Sequence, residues 1–160
     1  MIQVRIGVFE TNSSSTHAVC IATRGELDIP DRLHFDADWF GRSPQPPFFD
    51  VAERACYLWS CILTGTYKEK KAEVSRHQNF IYSTLAKRGC LATFNTEDEG
   101  WVEDYNVSAR LVAYVTKSEK HLLNYLFNPL SFVLVGGDEY EECYDYPDMI
   151  KMPYPHDEIV

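Results

Sequence analysis

Apolar residues recur along this chain with two different periods, and the two periods separate predicted strands from predicted helices. Alternating apolar positions or short apolar runs between turn residues predict four strands, over residues 3–9, 17–22, 90–94 and 131–135. Apolar positions at helical spacing predict three helices, over residues 51–63, 68–88 and 119–127. The sequence therefore mixes both kinds of element.

Polar residues mark the ends of these helices. Asp50 followed by Glu53 has the form of an N-cap with its capping-box partner, Ser118 is a second N-cap, and Gly89 is a left-handed helix end. Residues 107–115 suit either a helix or a strand, and their β-branched residues and Tyr114 favour a strand. The order of elements predicts an α+β fold with a small mixed or antiparallel sheet and about three helices packed on it.

Composition narrows the class of protein. At 160 residues the chain is one domain, 1–160, within which residues 138–160 form an acidic, aromatic, Pro-containing tail. The 45% apolar content excludes a disordered chain, and no apolar run approaches the ~20 residues that span a bilayer. No charged n-region followed by an apolar h-region is visible, so we do not expect secretion. The five cysteines match no zinc or redox spacing, and we expect a reducing cytoplasm and no metal or cofactor. The net charge of -9 argues against direct nucleic-acid binding.

The segment between the first two predicted strands holds the densest hydrogen-bonding chemistry of the chain. It contains a carboxylate, an amide, five hydroxyls and an imidazole, in Glu10, Thr11, Asn12, Ser13, Ser14, Ser15, Thr16 and His17. If the second strand starts near Ser15, then the side chains of Ser15 and His17 lie on the same face of it. Ser15 could then be a nucleophile and His17 its general base, with Asp138 orienting the imidazole.

Two other interpretations of this segment stay open. Its hydroxyls and backbone N–H groups suit phosphate, although Glu10 repels an anion unless it meets a metal or a ribose hydroxyl. Its Asx and Ser/Thr turns also satisfy their own backbone, which is a purely structural role.

The tail offers a different chemistry, because it alternates carboxylates with phenols. Such a surface can imitate a nucleic-acid backbone and occupy a basic groove on a partner, and the candidate partner-binding residues are Glu141, Glu142, Tyr144 and Asp145. A solvated surface segment is the plainer explanation.

Both ends of the chain resemble a family of small uncharacterised proteins encoded by bacteriophages and prophages. The segments that carry the resemblance are FETNSSSTHAVCI, within Arg5 to Ile21, and YLFNPLSFVLVGGDEY, from Tyr125 to Tyr140. Gly137 stands where the family has an asparagine in its final turn. The resemblance implies a small cytoplasmic protein of host takeover or anti-defence, and it implies no specific activity.

These observations favour a phage-type accessory protein of the host bacterial cytoplasm, with a pocket that binds, and in one version hydrolyses, a nucleotide or other phosphorylated molecule. Ligand contacts are expected from residues 10–14, Thr16 and Glu139, beside Ser15, His17 and Asp138. The alternative is a non-enzymatic acidic inhibitor, similar in role to an anti-CRISPR protein or a nucleic-acid mimic, that blocks a basic site on a host nuclease or defence protein. Neither version involves a membrane.

Overall fold

The described chain begins with four short strands, after which helices come in pairs between strands, in the order β1-β2-β3-β4-α1-α2-β5-β6-α3-α4-β7. The structure is a computed structural model that describes residues 3–6, 16–41, 46–64 and 71–136. The strands are β1 (Gln3–Ile6), β2 (Thr16–Ala22), β3 (Arg32–Phe35), β4 (Trp39–Phe40), β5 (Leu91–Phe94), β6 (Trp101–Val102) and β7 (Phe132–Gly136). The helices are α1 (Val51–Leu63), α2 (Lys71–Ala86), α3 (Tyr105–Val115) and α4 (Glu119–Phe127). This confirms the predicted α+β class.

The strands form one antiparallel sheet and two parallel pairs. In the sheet, β2 lies between β1 and β7, and its register with β7 runs from Thr16 opposite Gly136 to Cys20 opposite Phe132. The parallel pairs are β3 with β5 and β4 with β6. In each pair the connection between the strands runs through α1 and α2, as parallel pairing requires a crossover.

Helix α1 lies at the centre of the core and packs on α3, α4, β3 and β6. Asp50 caps it by accepting from the backbone N–H of Ala52 at 2.7 Å, as predicted. Its side chains from Tyr57 to Ile62 are all buried, including Trp59 and Ser60. Because α1 is in contact with all of these elements, it sets their positions relative to one another.

The strand prediction for residues 107–115 was wrong, because these residues belong to α3. Asp104 accepts from the backbone N–H of Val107 and caps the helix. Val107, Leu111 and Val115, spaced by four, are buried, whereas Ala113, which a strand would have turned inward with Leu111 and Val115, is exposed. Burial of one helical stripe therefore outweighs β propensity here, and the helices number four among the described residues instead of about three.

Other differences concern short elements and boundaries. The pattern missed β3, β4 and β6, of which the last two have only two residues each. Helix α2 ends at Ala86, and Gly89 follows it with the predicted positive φ of 75°. Residues 7–9 of the first predicted strand and the tail 138–160 lie outside the described residues. No described helix is long and apolar enough to cross a membrane.

Candidate functional site

One end of the antiparallel sheet pairs the two residues beyond which the chain segments singled out by the sequence begin. Thr16, the first residue of β2, pairs with Gly136, the last residue of β7, and His17 pairs with Val135. The polar segment of residues 10–15 precedes Thr16 directly, and Asp138 and Glu139 follow Gly136 by two and three positions. The two segments therefore join the sheet at adjacent positions.

Most of the predicted site residues themselves lie outside the described part of the chain. They are Glu10, Thr11, Asn12, Ser13, Ser14, Ser15, Asp138 and Glu139, together with the tail residues Glu141, Glu142, Tyr144 and Asp145. Thr16 is described through its backbone, and His17 is described fully. The geometry of the site is thus the geometry around His17.

His17 is buried in the core, with 1% of its surface exposed. Its Nε2 lies 3.0 Å from the carbonyl oxygen of Gly41 and its Nδ1 lies 2.8 Å from the hydroxyl of Tyr57. A carbonyl only accepts, so Nε2 carries the proton, and Nδ1 accepts from the Tyr57 hydroxyl. Both ring nitrogens are therefore engaged in hydrogen bonds inside the protein.

Burial lowers the pKa of His17, because the charged imidazolium loses its hydration there. The hydrogen bond to Gly41 and the charges of Asp104 and Glu103 act in the opposite direction, and burial outweighs them. His17 is consequently a neutral imidazole near neutral pH. For His17 to act as a general base, its Nδ1 would have to release the Tyr57 hydroxyl.

Two cysteines of α1 lie near Tyr57 in the sequence of the helix. Cys61 is one turn further along and is buried, and Cys56 is half-buried. Burial raises the pKa of the Cys61 thiol to about 12 and that of the Cys56 thiol to about 11. Neither thiol is a nucleophile at physiological pH.

Gly41 connects His17 to the neighbouring pair of strands, β4 and β6. A Cβ atom on Gly41 would lie 3.4 Å from Trp39 Nε1 and 3.5 Å from Glu103 Oε2. The Glu103 carboxylate and the Trp39 indole therefore pack against the same glycine whose carbonyl holds His17. The Glu103 carboxylate therefore places negative charge beside Gly41.

Sequence reasoning missed Tyr57, Gly41 and Glu103. Tyr57 carried one usable signal, since a phenol on the buried stripe of a helix needs a partner for its hydroxyl. Gly41 and Glu103 carried none, because they reach His17 through the pairing of two-residue strands that no periodicity reveals. Among the described residues, no group of three or more His, Cys, Asp or Glu side chains is placed to hold a metal ion.

No protein-family model matches the chain, and comparison with curated proteins and with solved structures finds no match either. The resemblance of the two end segments to a phage family therefore stays a prediction.

Proposed function

We propose that this chain is a phage-type accessory protein of the host cytoplasm that binds a nucleotide or another phosphorylated small molecule at the end of the antiparallel sheet. The observation that carries the proposal is the pairing of Thr16 with Gly136. It makes the hydroxyl-rich segment of residues 10–15 and the acidic residues 138–139 continue from neighbouring points of one rigid sheet. Loops that meet at one end of a scaffold are the usual place for a binding site.

The hydrogen bond from His17 to Gly41 adds a third segment to this end. The carbonyl oxygen of Gly41 lies 3.0 Å from the Nε2 of His17. Arg42 follows Gly41 in the sequence. Arg42 is a cation that a phosphorylated ligand would favour. Three stretches of chain thus continue from Thr16, Gly41 and Gly136.

The charges around His17 favour a nucleotide over a bare phosphate. Glu103 and Asp104 place negative charge near the imidazole, and negative charge repels a phosphate group. A carboxylate is, however, a good acceptor for ribose hydroxyls, while serine hydroxyls and Arg42 suit the phosphate. We therefore expect the ligand to carry a sugar as well as a phosphate.

The state of His17 favours binding over hydrolysis. In the hydrolytic version, Ser15 attacks, His17 takes its proton and Asp138 orients the imidazole. That version requires a free nitrogen on His17, yet both nitrogens are hydrogen bonded and burial holds the pKa down. Sequestration needs no such rearrangement, so it is the version we adopt.

A thermal-shift screen tests the proposal. Probes are AMP, ATP, cyclic di-GMP and cyclic GMP-AMP, each with and without Mg²⁺, and inorganic phosphate serves as the comparison. A nucleotide at a concentration 100-fold above its Kd stabilises the fold by about 2.7 kcal/mol, which raises the Tm of a chain of this size by roughly 5–10 °C. Inorganic phosphate is expected to give no comparable rise.

The matched variants are Ser15→Ala and Ser75→Ala. Ser15→Ala removes a hydroxyl of the proposed site, whereas Ser75 is exposed on α2, away from the sheet. We expect Ser15→Ala to reduce the nucleotide shift and Ser75→Ala to leave it unchanged, with equal melting temperatures in the absence of ligand. A screen without any shift, or a shift that Ser15→Ala leaves intact, would count against the site.

The second candidate function is the acidic inhibitor that blocks a basic site on a host protein. One described feature favours it: the exposed Trp39 packs against the half-buried Trp101 in segments that are rich in carboxylates. Charge reversal at Glu141, Glu142 and Asp145 tests the version that uses the tail, since it predicts loss of partner binding and strong weakening of that binding by salt.

A further inference from the structure

Strands β4 and β6 present aromatic side chains to solvent on one face and bury apolar side chains on the other. Trp39 pairs with Trp101 and Phe40 with Val102. Phe40 and Val102 are in the core, whereas Trp39 is 68% exposed. Exposing a residue of this size costs hydrophobic free energy, and exposed tryptophans are enriched where proteins bind partners.

Two exposed rings, Trp39 and Tyr105, and the half-buried Trp101 between them form a continuous row. The ring centroids of Trp39 and Trp101 are 5.9 Å apart with an angle of 35° between the planes. Tyr105, the first residue of α3, packs edge-on against Trp101 at 5.2 Å and is itself 49% exposed. We call these three side chains the aromatic row.

The backbone beneath the aromatic row is fixed to α1. The N–H of Asp38 donates to the Ser60 hydroxyl at 3.0 Å, and the N–H of Val102 donates to the Thr64 hydroxyl at 2.7 Å. The row is therefore held in place before any partner arrives, which reduces the entropic cost of binding.

The segments that form the row are rich in carboxylates and contain no Lys or Arg. Residues 36–41 and 95–109 contain no Lys or Arg, and their acidic residues are Asp36, Asp38, Glu97, Asp98, Glu99, Glu103 and Asp104. The side-chain amide of Asn95 donates to both Asp36 and Asp98, at 2.7 and 2.8 Å, and the bond to Asn95 lowers the pKa of Asp36. The Asp36 carboxylate is thus charged near neutral pH.

From this arrangement we propose that the aromatic row and its carboxylates form a docking surface for a basic protein partner that inserts an arginine side chain against Trp39. A guanidinium stacks on an indole face and binds carboxylates with its planar fork, so arginine satisfies both halves of the surface. The ammonium of lysine lacks the plane that stacks. Nucleic acid is a poor occupant, because its phosphates meet seven carboxylates.

This inference does not rest on the proposed ligand site at the sheet end. It uses only described residues of β4, β6, α3 and their flanks, and a protein that bound no nucleotide would still present this surface. It assigns partner binding to residues other than the tail residues 141–145.

Peptide binding tests the inference on the full chain. The probes are hexa-arginine, hexa-lysine and hexa-glutamate, titrated at about physiological salt and followed by calorimetry and by tryptophan fluorescence. We expect hexa-arginine to bind several-fold more tightly than hexa-lysine and to change the tryptophan emission, and hexa-glutamate not to bind. Equal binding of the two basic peptides, or no binding of hexa-arginine, would overturn the proposal.

Variants separate stacking from charge. Trp39→Ala is expected to weaken hexa-arginine binding about tenfold, and Trp39→Phe to weaken it less, since phenylalanine keeps a ring but is the poorer cation–π partner. The control is Tyr82→Ala, which removes an aromatic ring that is 49% exposed on α2. Trp39 and Tyr82 are both exposed, so circular dichroism and melting temperature should stay unchanged in all three variants. Tight binding that survives Trp39→Ala would reduce the surface to a non-specific acidic patch.

A charge variant completes the test. The double variant Glu97→Gln, Glu99→Gln should weaken hexa-arginine binding, whereas the control Glu26→Gln, at an exposed position in the loop between β2 and β3, should not. If Glu26→Gln weakens binding as much per charge removed, net charge alone explains the attraction and the surface is not a site.

Discussion

At the residue scale, His17 links the sheet, β4 and α1, since it lies in β2 and is hydrogen bonded to Gly41 and Tyr57. Its lowered pKa has a consequence for stability. Below about pH 6.5 the unfolded chain takes up a proton at His17 before the folded chain does, so the free energy of unfolding falls as the pH drops from 6.5 towards the folded pKa. Well above pH 6.5 the residue is neutral in both states and contributes no pH dependence.

His17→Gln should therefore flatten the stability curve between about pH 7 and pH 5. The measurement is urea unfolding at a series of pH values. The comparison is His121→Gln: the pKa of His121 is also lowered, by burial and by Lys117 and Lys120, but the side chain is less deeply buried, so this variant should flatten the curve less. A curve of unchanged slope in His17→Gln would mean that His17 is not held neutral by its surroundings.

Arg54 is a second residue whose environment makes a sharp prediction. It is fully buried on α1, and its Nη1 donates to the carbonyls of Tyr125 and Asn128 at 2.8 Å each, at the C-terminal end of α4. A cation there donates to carbonyls that the helix leaves unpaired, and it interacts favourably with the negative end of the helix dipole.

Arg54→Ala should lower the free energy of unfolding by about 3 kcal/mol, from the loss of charged hydrogen bonds and the cavity that remains. Arg76→Ala, at a side chain that is 72% exposed, should change it by less than about 0.5 kcal/mol. Chemical denaturation of both variants gives the comparison, and equal effects would contradict the assigned role of Arg54.

At the scale of elements, the sequence predicts those whose ends are marked by caps and whose apolar stripe is long. Asp50 and Ser118 correctly located the starts of α1 and α4, and Gly89 the end of the helical region after α2. Residues 107–115 were misassigned because their composition favours strands while their burial on α1 favours a helix. Strands β4 and β6 have no period to detect, so the aromatic row could not be predicted either.

Gly100 shows how closely β6 approaches α1. A Cβ atom at Gly100 would lie 2.8 Å from the Cα of Ser60 and 3.2 Å from Leu63 Cδ1, so Gly100→Ala must push the two elements apart. We expect a loss of about 1–3 kcal/mol in the free energy of unfolding, together with a changed emission of the neighbouring Trp101.

Gly89→Ala is the control for Gly100→Ala. It has open space around the new methyl group and a positive φ of 75°, so it should cost about 1 kcal/mol through backbone strain and leave tryptophan emission unchanged. If Gly100→Ala behaves like Gly89→Ala, then β6 is not held by its contact with α1.

At the scale of the whole molecule, the sequence suggested that its two distinctive ends meet, and the register of β2 with β7 places their flanks side by side. Periodicity could indicate both strands but not their pairing, because register depends on contacts between residues more than a hundred positions apart. The same limit applies to Gly41, whose contact with His17 joins the sheet end to the aromatic row. The molecule thus carries two candidate surfaces, one for a nucleotide and one for a basic protein.

The most direct test of the proposed function is a map of amide chemical shifts in the ¹⁵N-labelled chain during titration with ATP and with cyclic di-GMP. We predict that one of these probes shifts the amides of His17, Gly41 and Gly136 in a saturable way and leaves those of Arg88 and Leu91, beyond the end of α2, in place. Saturable shifts confined to other parts of the chain, or none at the sheet end with either probe, would contradict the account.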